Sequence, residues 1–472
     1  MTESTRQTSV PDRHWRRPSF PADVEETVRM TTTTSDGVQA ELLGRYLTSQ
    51  ALTEELAGTV SAEDQMIQSM PDASPTKWHR AHTAWFFETF LLVPHLVDYE
   101  EFHPAFGYLF NSYYEGVGER HPRAQRGLIS RPGAEEVGAY RRHVRQGMER
   151  LMETPLDSGS LALVELGIHH EQQHQELLLM DIKHAFAQNP LRPAYRPRTA
   201  GHLDRPTAAK TGEGSRSWAG TETAWTGYPG GIVSIGHDGE GFSFDNEGPR
   251  HRVVVEPYAL TRRLATNGDW LSFIEDGGYR QPNLWLSEGW ATVRQHDWTA
   301  PLYWQPSGDG WQEFTLHGLE AVDPDRPVCH VSYFEADAFA RWAGCRLPTE
   351  AEWELAAADQ AVTGHFLDLD RLHPDSFMSA PPGDGATPSE DPVPSLFGDV
   401  WQWTSSTYSP YPGFAPAEGA VGEYNGKFMV NQYVLRGGCC VTPPGHVRAT
   451  YRNFFPAASR WMFSGLRLAR TL

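Results

Sequence analysis

His169-His170-Glu171-Gln172-Gln173-His174-Gln175-Glu176 sets a polar run inside an apolar segment and places two imidazoles one helical turn apart. At about 100° per residue, His170 and His174 lie about 40° apart on one helix face, so both reach one ion, while Glu176 points about 120° away from His170. Leu161, Leu163, Val164, Leu166 and Ile168 precede the run and Leu177 to Met180 follow it, so the segment reads as a helix buried nearly all round. Buried imidazoles need partners, and a metal supplies one. Spacing alone is weak evidence, and a solvated polar face or a structural metal clip is the plainer alternative. The third ligand has to come from another helix. Trp78-His79-Arg80-Ala81-His82 offers one, with His82 preferred and His79 its rival. Three histidines leave half an octahedron open, which suits iron and substrate chemistry better than a closed structural zinc site.

Outward from this motif, helical periodicity runs from about residue 38 to 188, in segments 38–58, 60–70, 76–98, 134–153 and 158–188. Ser130-Arg131-Pro132-Gly133 marks a turn before the fourth. The pattern predicts a four-helix bundle over 38–197, a fold that builds metal sites from side chains on facing helices. Residues 1–37 read as a flexible polar tail, with Met30 as an alternative start, and 198–222 as a linker rich in Pro, Gly and Ser. Over 223–472 the composition turns to Gly, Trp and Tyr, with short strands near 231–236 and 250–255 and helices near 265–276, 334–343 and 349–358. Thr349-Glu350-Ala351-Glu352 reads as a helix N-cap. The second half is expected to be α+β and loop-rich, and no 20–50-residue repeat is visible.

Composition excludes several function classes. A chain of 472 residues with 16 Trp and 12% aromatics is long enough for two or three packed domains. A formal charge of -20 argues against a nucleic-acid partner, since phosphate backbones need a basic surface. Cys329, Cys345, Cys439 and Cys440 are too few for a disulfide scaffold, so a reduced cytoplasmic protein is the default. No apolar leader and no apolar run of membrane-spanning length are present, and no membrane partner is expected.

The second half resembles a known family through Arg346-Leu347-Pro348-Thr349-Glu350-Ala351-Glu352-Trp353-Glu354, Phe397-Gly398-Asp399-Val400-Trp401-Gln402-Trp403, Arg436-Gly437-Gly438 and Gly465-Leu466-Arg467-Leu468. These look like the formylglycine-generating-enzyme (sulfatase-modifying factor) fold, a C-type-lectin-like domain. The histidine-bearing bundle resembles a DinB-like domain. Their fusion in this order resembles the ergothioneine-biosynthetic sulfoxide synthases, which use non-haem Fe(II) and O2 to join a thiol to the imidazole of hercynine.

The resemblance implies roles for particular residues. His82, His170 and His174 match the iron ligands, and Gln173 the glutamine near hercynine. Phe110-Asn111-Ser112-Tyr113-Tyr114 resembles a subgroup with paired active-site tyrosines. Tyr451-Arg452-Asn453-Phe454-Phe455-Pro456 resembles that subgroup's hercynine-facing loop, with Asn453, Phe454 and Phe455 as contacts. Forming a carbon–sulfur bond and one sulfoxide removes four electrons, which matches reduction of O2 with one oxygen atom retained and the other released as water. A tyrosine hydroxyl beside the oxygen would supply a proton and steer the reaction away from thiol dioxygenation. Phe454 and Phe455 would box a trimethylammonium group. Arg120, Arg123 and Arg126 would hold the carboxylates of cysteine or γ-glutamylcysteine, and surface solvation is the alternative reading of each.

Cys439-Cys440 follow directly on Arg436-Gly437-Gly438, unlike the spaced copper-binding cysteines of formylglycine-generating enzymes. With Cys329-His330 they could form a second soft-metal or selenium site, the alternative being buried small hydrophobes. Selenoneine synthase, which takes a selenium donor, is a close alternative. A metal-dependent DinB-type thiol transferase would explain the histidines without the second domain, and a lectin-like binding module would explain the second domain without the histidines.

Overall fold

The computed structural model describes residues 35–198, 224–368, 371–375, 393–417, 422 and 424–472. The expected tail apart from its last residues, and the expected linker apart from Arg198, lie outside the described residues. The N-terminal region is all-helical. Its long helices are α1 (Ser35–Gly58), α2 (Thr76–Phe87), α3 (Ala134–Leu151) and α4 (Ser158–Gln188). α4 starts at Asp157, whose carboxylate accepts from the Ser160 N–H at 2.7 Å.

Two expected helices differ. The 60–70 segment forms only a 3-10 turn at Asp64–Met66. There Ser61 and Asp64 trade side-chain hydrogen bonds with each other's backbone N–H groups, and the Gln65 amide reaches back to Ala57 O at 3.0 Å, so local polar bonding replaces a helix. The 76–98 segment is α-helical to Phe87, passes through a π turn at Glu88–Leu92, and ends with Val93–His95. Pro94 has no N–H to continue the α-helical ladder.

The four helices are held by one polar hub as well as by aromatic packing. Arg141 on α3 donates to Glu171 Oε1 on α4 at 2.7 Å, to Gln50 Oε1 on α1 at 2.6 Å and to Arg80 O on α2 at 2.8 Å. Glu171 is 0% exposed and also takes Gln50 Nε2 at 2.5 Å and Thr53 Oγ1 at 2.7 Å. Breaking a buried pair leaves an uncompensated charge. Arg141→Met is therefore expected to cost about 3–5 kcal/mol of stability, read from urea unfolding of the full chain; a loss below about 1 kcal/mol, the scale of an exposed pair, would contradict the hub.

The C-terminal domain consists of small sheets joined by long loops. The first three strands to pair are β1 (Trp225–Tyr228), β4 (Tyr258–Thr261) and β14 (Ala469–Thr471), so the end of the chain closes onto the start of the domain. β2 (Gly231–Ile235) and β3 (His251–Val255) form a hairpin. β5 (Trp304–Ser307), β6 (Gly310–Thr315) and β7 (Gly318–Ala321) form an antiparallel sheet in that order, and β8 (Gly364–His365) pairs in parallel with β9 (Phe397–Gly398). The central sheet has the order β12-β11-β10-β13, from Asn453–Pro456, Gln432–Arg436, Trp401–Thr407 and Ser464–Gly465. Helices α5 (Asn267–Glu275), α7 (Tyr333–Trp342) and α8 (Glu350–Ala357) each begin with a capping box, at Thr266/Asp269, Ser332/Glu335 and Thr349/Glu352. α6 (Ser287–Gln295) was not anticipated; nine residues with only Trp290 and Val293 as large apolar positions carry too little periodicity.

α4 belongs to both halves. Val164 and Ile168 pack into an aromatic core with Trp85, Phe86, Phe87 and Tyr140. Leu178, Leu179, Met180, Ile182 and Phe186, further along the same helix, join the core of the C-terminal domain with Trp401 and Phe463. The histidine run lies between these two apolar stretches, at the seam of the molecule.

Candidate metal centre and interdomain cavity

At that seam α2 and α4 bring His82, His170 and His174 together, with one nitrogen of each within 4.8 Å of the others; no second such group occurs among the described residues. Ring centroids lie 4.9 Å apart for His82 and His170, 4.7 Å for His82 and His174, and 4.6 Å for His170 and His174. The indoles of Trp78 and Trp85 stack on His82 at 4.6 and 5.4 Å. His82 Nδ1 lies 2.6 Å from the Phe110 carbonyl oxygen and donates to it, which leaves Nε2 for the cluster. His174 Nδ1 is 2.8 Å from His79 Nδ1, and His79 Nε2 is 3.1 Å from Asp181 Oδ2. His79, the rival ligand, thus has both nitrogens engaged and sits behind the cluster. His170 Nδ1 is buried without a hydrogen-bond partner.

Burial holds these rings neutral. It pushes His170 down to about 3, with nearby His79 adding to the effect, and lowers His82 and His174 well below the usual imidazole range. Three neutral imidazoles, one carrying an orphaned buried nitrogen, are a donor set that fits a divalent transition metal.

His82 and His174 open onto a cavity of about 320 Å³ walled by both halves of the chain. Gln173, one residue before His174, donates from Nε2 to Tyr451 OH at 2.8 Å, and Tyr451 OH also lies 3.1 Å from His446 Nε2. Asn453, Phe454 and Phe455 on β12 line the opposite wall. Phe454 stacks on Tyr408 at 4.0 Å and Phe455 meets Trp461 edge-on at 5.4 Å, so both rings are fixed before any ligand arrives.

Tyr113 and Tyr114 both line the cavity. The Tyr113 hydroxyl accepts from Arg123, and its ring meets Phe428 edge-on at 4.9 Å, while Lys427 donates to its carbonyl oxygen. Tyr114 is buried, with Trp85 at 5.6 Å and Phe90 at 5.3 Å.

The three arginines divide. Arg126 is buried over Trp78 at 3.3 Å and donates to the Ser74 and Ser112 hydroxyls at 2.9 and 3.1 Å. Burial, aided by the neighbouring Arg123, pushes its pKa down to about 9. Arg123 lines the same wall, and the Nε of each has no hydrogen-bond partner. Arg120 instead pairs with Glu115 at 3.0 Å, is partly exposed, and is not among the residues lining the cavity.

Cys329, His330, Cys439 and Cys440 are buried but do not form a ligand group of the kind His82, His170 and His174 make. His330 Nε2 faces the Lys183 ammonium at 2.6 Å, and Cys439 Sγ faces Thr442 Oγ1 at 3.3 Å.

Several contacts at the seam have no counterpart in the sequence reading. Glu176 takes Trp401 Nε1 at 2.7 Å and Thr442 Oγ1 at 2.5 Å, which locks the end of the histidine run to the C-terminal domain. His169 stacks on Phe242 at 4.0 Å and approaches His446 at 3.3 Å. Trp401 and Tyr451 lie inside the motifs quoted above, but nothing in their spacing says that they face a helix more than 200 residues earlier in the chain.

This arrangement defines a class: a helical region bearing a histidine cluster, fused to a sulfatase-modifying-factor-like domain, with a cavity between them. Residues 220–472 match the sulfatase-modifying factor enzyme 1-like domain family. The chain is 33% identical to the hercynine oxygenase of Mycolicibacterium thermoresistibile over 91% of its own length and 95% of that protein. It is also 33% identical to the hercynine oxygenase of Mycolicibacterium smegmatis, over 85% of this chain and 92% of that one. The formylglycine-generating enzyme of Streptomyces coelicolor is 29% identical over 44% of this chain and 76% of its own. The chain therefore belongs to the ergothioneine-biosynthetic sulfoxide synthase family, and it is an enzyme of the oxidoreductase class.

Proposed function

We propose that the protein is an Fe(II)- and O2-dependent enzyme that joins the imidazole of hercynine to cysteine or γ-glutamylcysteine as a sulfoxide, with the helical region acting as a DinB-like four-helix bundle. The observation that carries this reading is that the cluster of His82, His170 and His174 opens, through His82 and His174, onto a cavity whose other wall comes from the second domain. His82, His170 and His174 would hold the ferrous ion, which would supply the redox chemistry that couples O2 reduction to oxidation of the thiol.

The remaining residues bind, orient and move protons. Gln173 and Tyr451 present fixed polar groups for the hercynine imidazole, and Phe454 and Phe455 offer aromatic faces to its trimethylammonium group. Arg123 and Arg126, which donate to the neutral oxygens of Tyr113, the Asp72 backbone, Ser74 and Ser112, provide bidentate positive charge for the thiol's carboxylates. Tyr113 or Tyr114 delivers the proton that accompanies oxygen reduction. Because hercynine would contact both halves of the chain while the metal ligands and the two arginines lie in the helical half, neither half alone builds the reaction geometry.

The test is anaerobic iron loading followed by mass spectrometry of products from hercynine with cysteine, γ-glutamylcysteine or a selenosugar under O2. A carbon–sulfur sulfoxide that appears only with iron supports the reading. A carbon–selenium product alone would make the protein a selenoneine synthase, and oxygen-independent thiol transfer would make it a DinB-type transferase. A weaker effect is expected at the seam: Tyr451→Phe removes the hydroxyl that meets Gln173 and His446 and, with it, one neutral hydrogen bond offered to hercynine, so the KM for hercynine should rise about 2- to 10-fold with iron content unchanged. An unaltered KM would remove Gln173 and Tyr451 from the hercynine site.

A further inference from the structure

Behind the cluster runs a second line of side chains that ends in the other domain. Asp181, two turns beyond His174 on α4, is buried and accepts three hydrogen bonds. The Ser74 N–H donates to Oδ2 at 2.7 Å, Trp461 Nε1 to Oδ1 at 3.2 Å, and His79 Nε2 lies 3.1 Å from Oδ2. His79 Nδ1 in turn lies 2.8 Å from His174 Nδ1. Asp181, His79 and the cavity face of Trp461 are all in place before any metal is bound.

Hydrogen-bond arithmetic gives this chain a direction. A carboxylate only accepts, so His79 carries its proton on Nε2 and turns a lone pair toward His174. His174 must then carry its own proton on Nδ1 and present the Nε2 lone pair. The opposite polarity would put a proton on the nitrogen left for the metal. We propose that Asp181 acts through His79 as a positioning pair that fixes the metal-binding tautomer and ring orientation of His174, and that Trp461 makes this setting depend on the docked C-terminal domain. The inference rests on the three-histidine reading and goes beyond it. Of the three ligands, His82 takes its orientation from the Phe110 carbonyl and His170 Nδ1 has no partner, so His174 alone is tied to a carboxylate and, through it, to the second domain. A carboxylate behind a ligating imidazole raises its basicity as well as fixing its orientation, and loss of such a partner costs about 10- to 100-fold in metal affinity or activity.

The test uses the full-length protein and two readouts besides turnover: Fe(II) affinity from anaerobic competition with a chromogenic chelator, and the visible ligand-field bands of the Co(II)-loaded protein. Asp181→Asn keeps the shape and removes the charge; His79→Leu removes the link. Both should weaken Fe(II) binding by about 10- to 100-fold and shift the Co(II) bands. His79→Gln, whose amide can again donate to Asp181 and accept from His174, should recover most of the affinity, and Trp461→Phe should move both readouts in the same direction by less. If Asp181→Asn does not fold, the contrast between His79→Leu and His79→Gln decides. Unchanged affinity and bands in the folded variants would overturn the proposal, as would a lowered melting temperature with unmoved Co(II) bands, which marks a purely structural role. The outcomes separate cleanly from the underlying reading: if His174→Ala still binds Fe(II) normally, the three-histidine site fails. If His174→Ala loses the metal while Asp181→Asn does not weaken it, only the positioning role fails.

Discussion

Alanine at His170 or His174 is expected to abolish iron binding and turnover together. Each ring supplies one of three nitrogens that meet within 4.8 Å, so removing one leaves only two protein ligands for the ion. The loss should appear as less than stoichiometric iron after anaerobic reconstitution, with a far-ultraviolet spectrum like that of the unaltered protein. His170 and His174 share one face of α4, so either change also leaves the other ring without its neighbour. Stoichiometric iron and full activity in His174→Ala would refute the assignment. The same result in His82→Ala would hand the third position to His79, the only other imidazole within hydrogen-bonding distance of His174 among the described residues.

Loss of the relevant tyrosine hydroxyl is expected to slow carbon–sulfur coupling by about 10²-fold or more, the scale of a positioned proton donor, and to divert the thiol toward its sulfinic acid. The two candidates are held differently. Tyr113 presents its hydroxyl to Arg123, one of the two arginines proposed to hold the thiol, whereas Tyr114 is packed against Trp85, the ring that stacks on His82. Tyr113→Phe and Tyr114→Phe each keep the ring, so packing, iron content and fold should persist while the product ratio changes. Each variant should be assayed for sulfoxide, dioxygenated thiol and iron. Unchanged rates and product ratios in both single variants and the double variant would reduce the pair to packing.

Much of the architecture was legible locally. The long α4 pattern, its paired histidines, the cap at Thr349/Glu352 and the strands near 231–236 and 250–255 all follow from spacings of a few residues, which the backbone reads without help from distant parts of the chain. Where local polar bonding competes with helix formation, as at Ser61/Asp64, periodicity misleads, because a side chain that satisfies a backbone N–H removes the reason to form the next turn. Arg120 and Arg126 are six residues apart and look alike in sequence, yet one pairs with Glu115 near the surface and the other is sealed over Trp78.

By itself, the sequence determined that α4 carries two imidazoles on one face and that the chain joins a helical half to a sulfatase-modifying-factor-like half. Only the tertiary structure decided that His82 meets them while His79 stands behind with Asp181, and that Gln173, Glu176 and Asp181 each find partners in the second domain. The reason is physical. Helix periodicity specifies which residues share a face, but a metal site and a cavity need side chains from elements far apart in the sequence, and their meeting is set by how two apolar cores close around one shared helix.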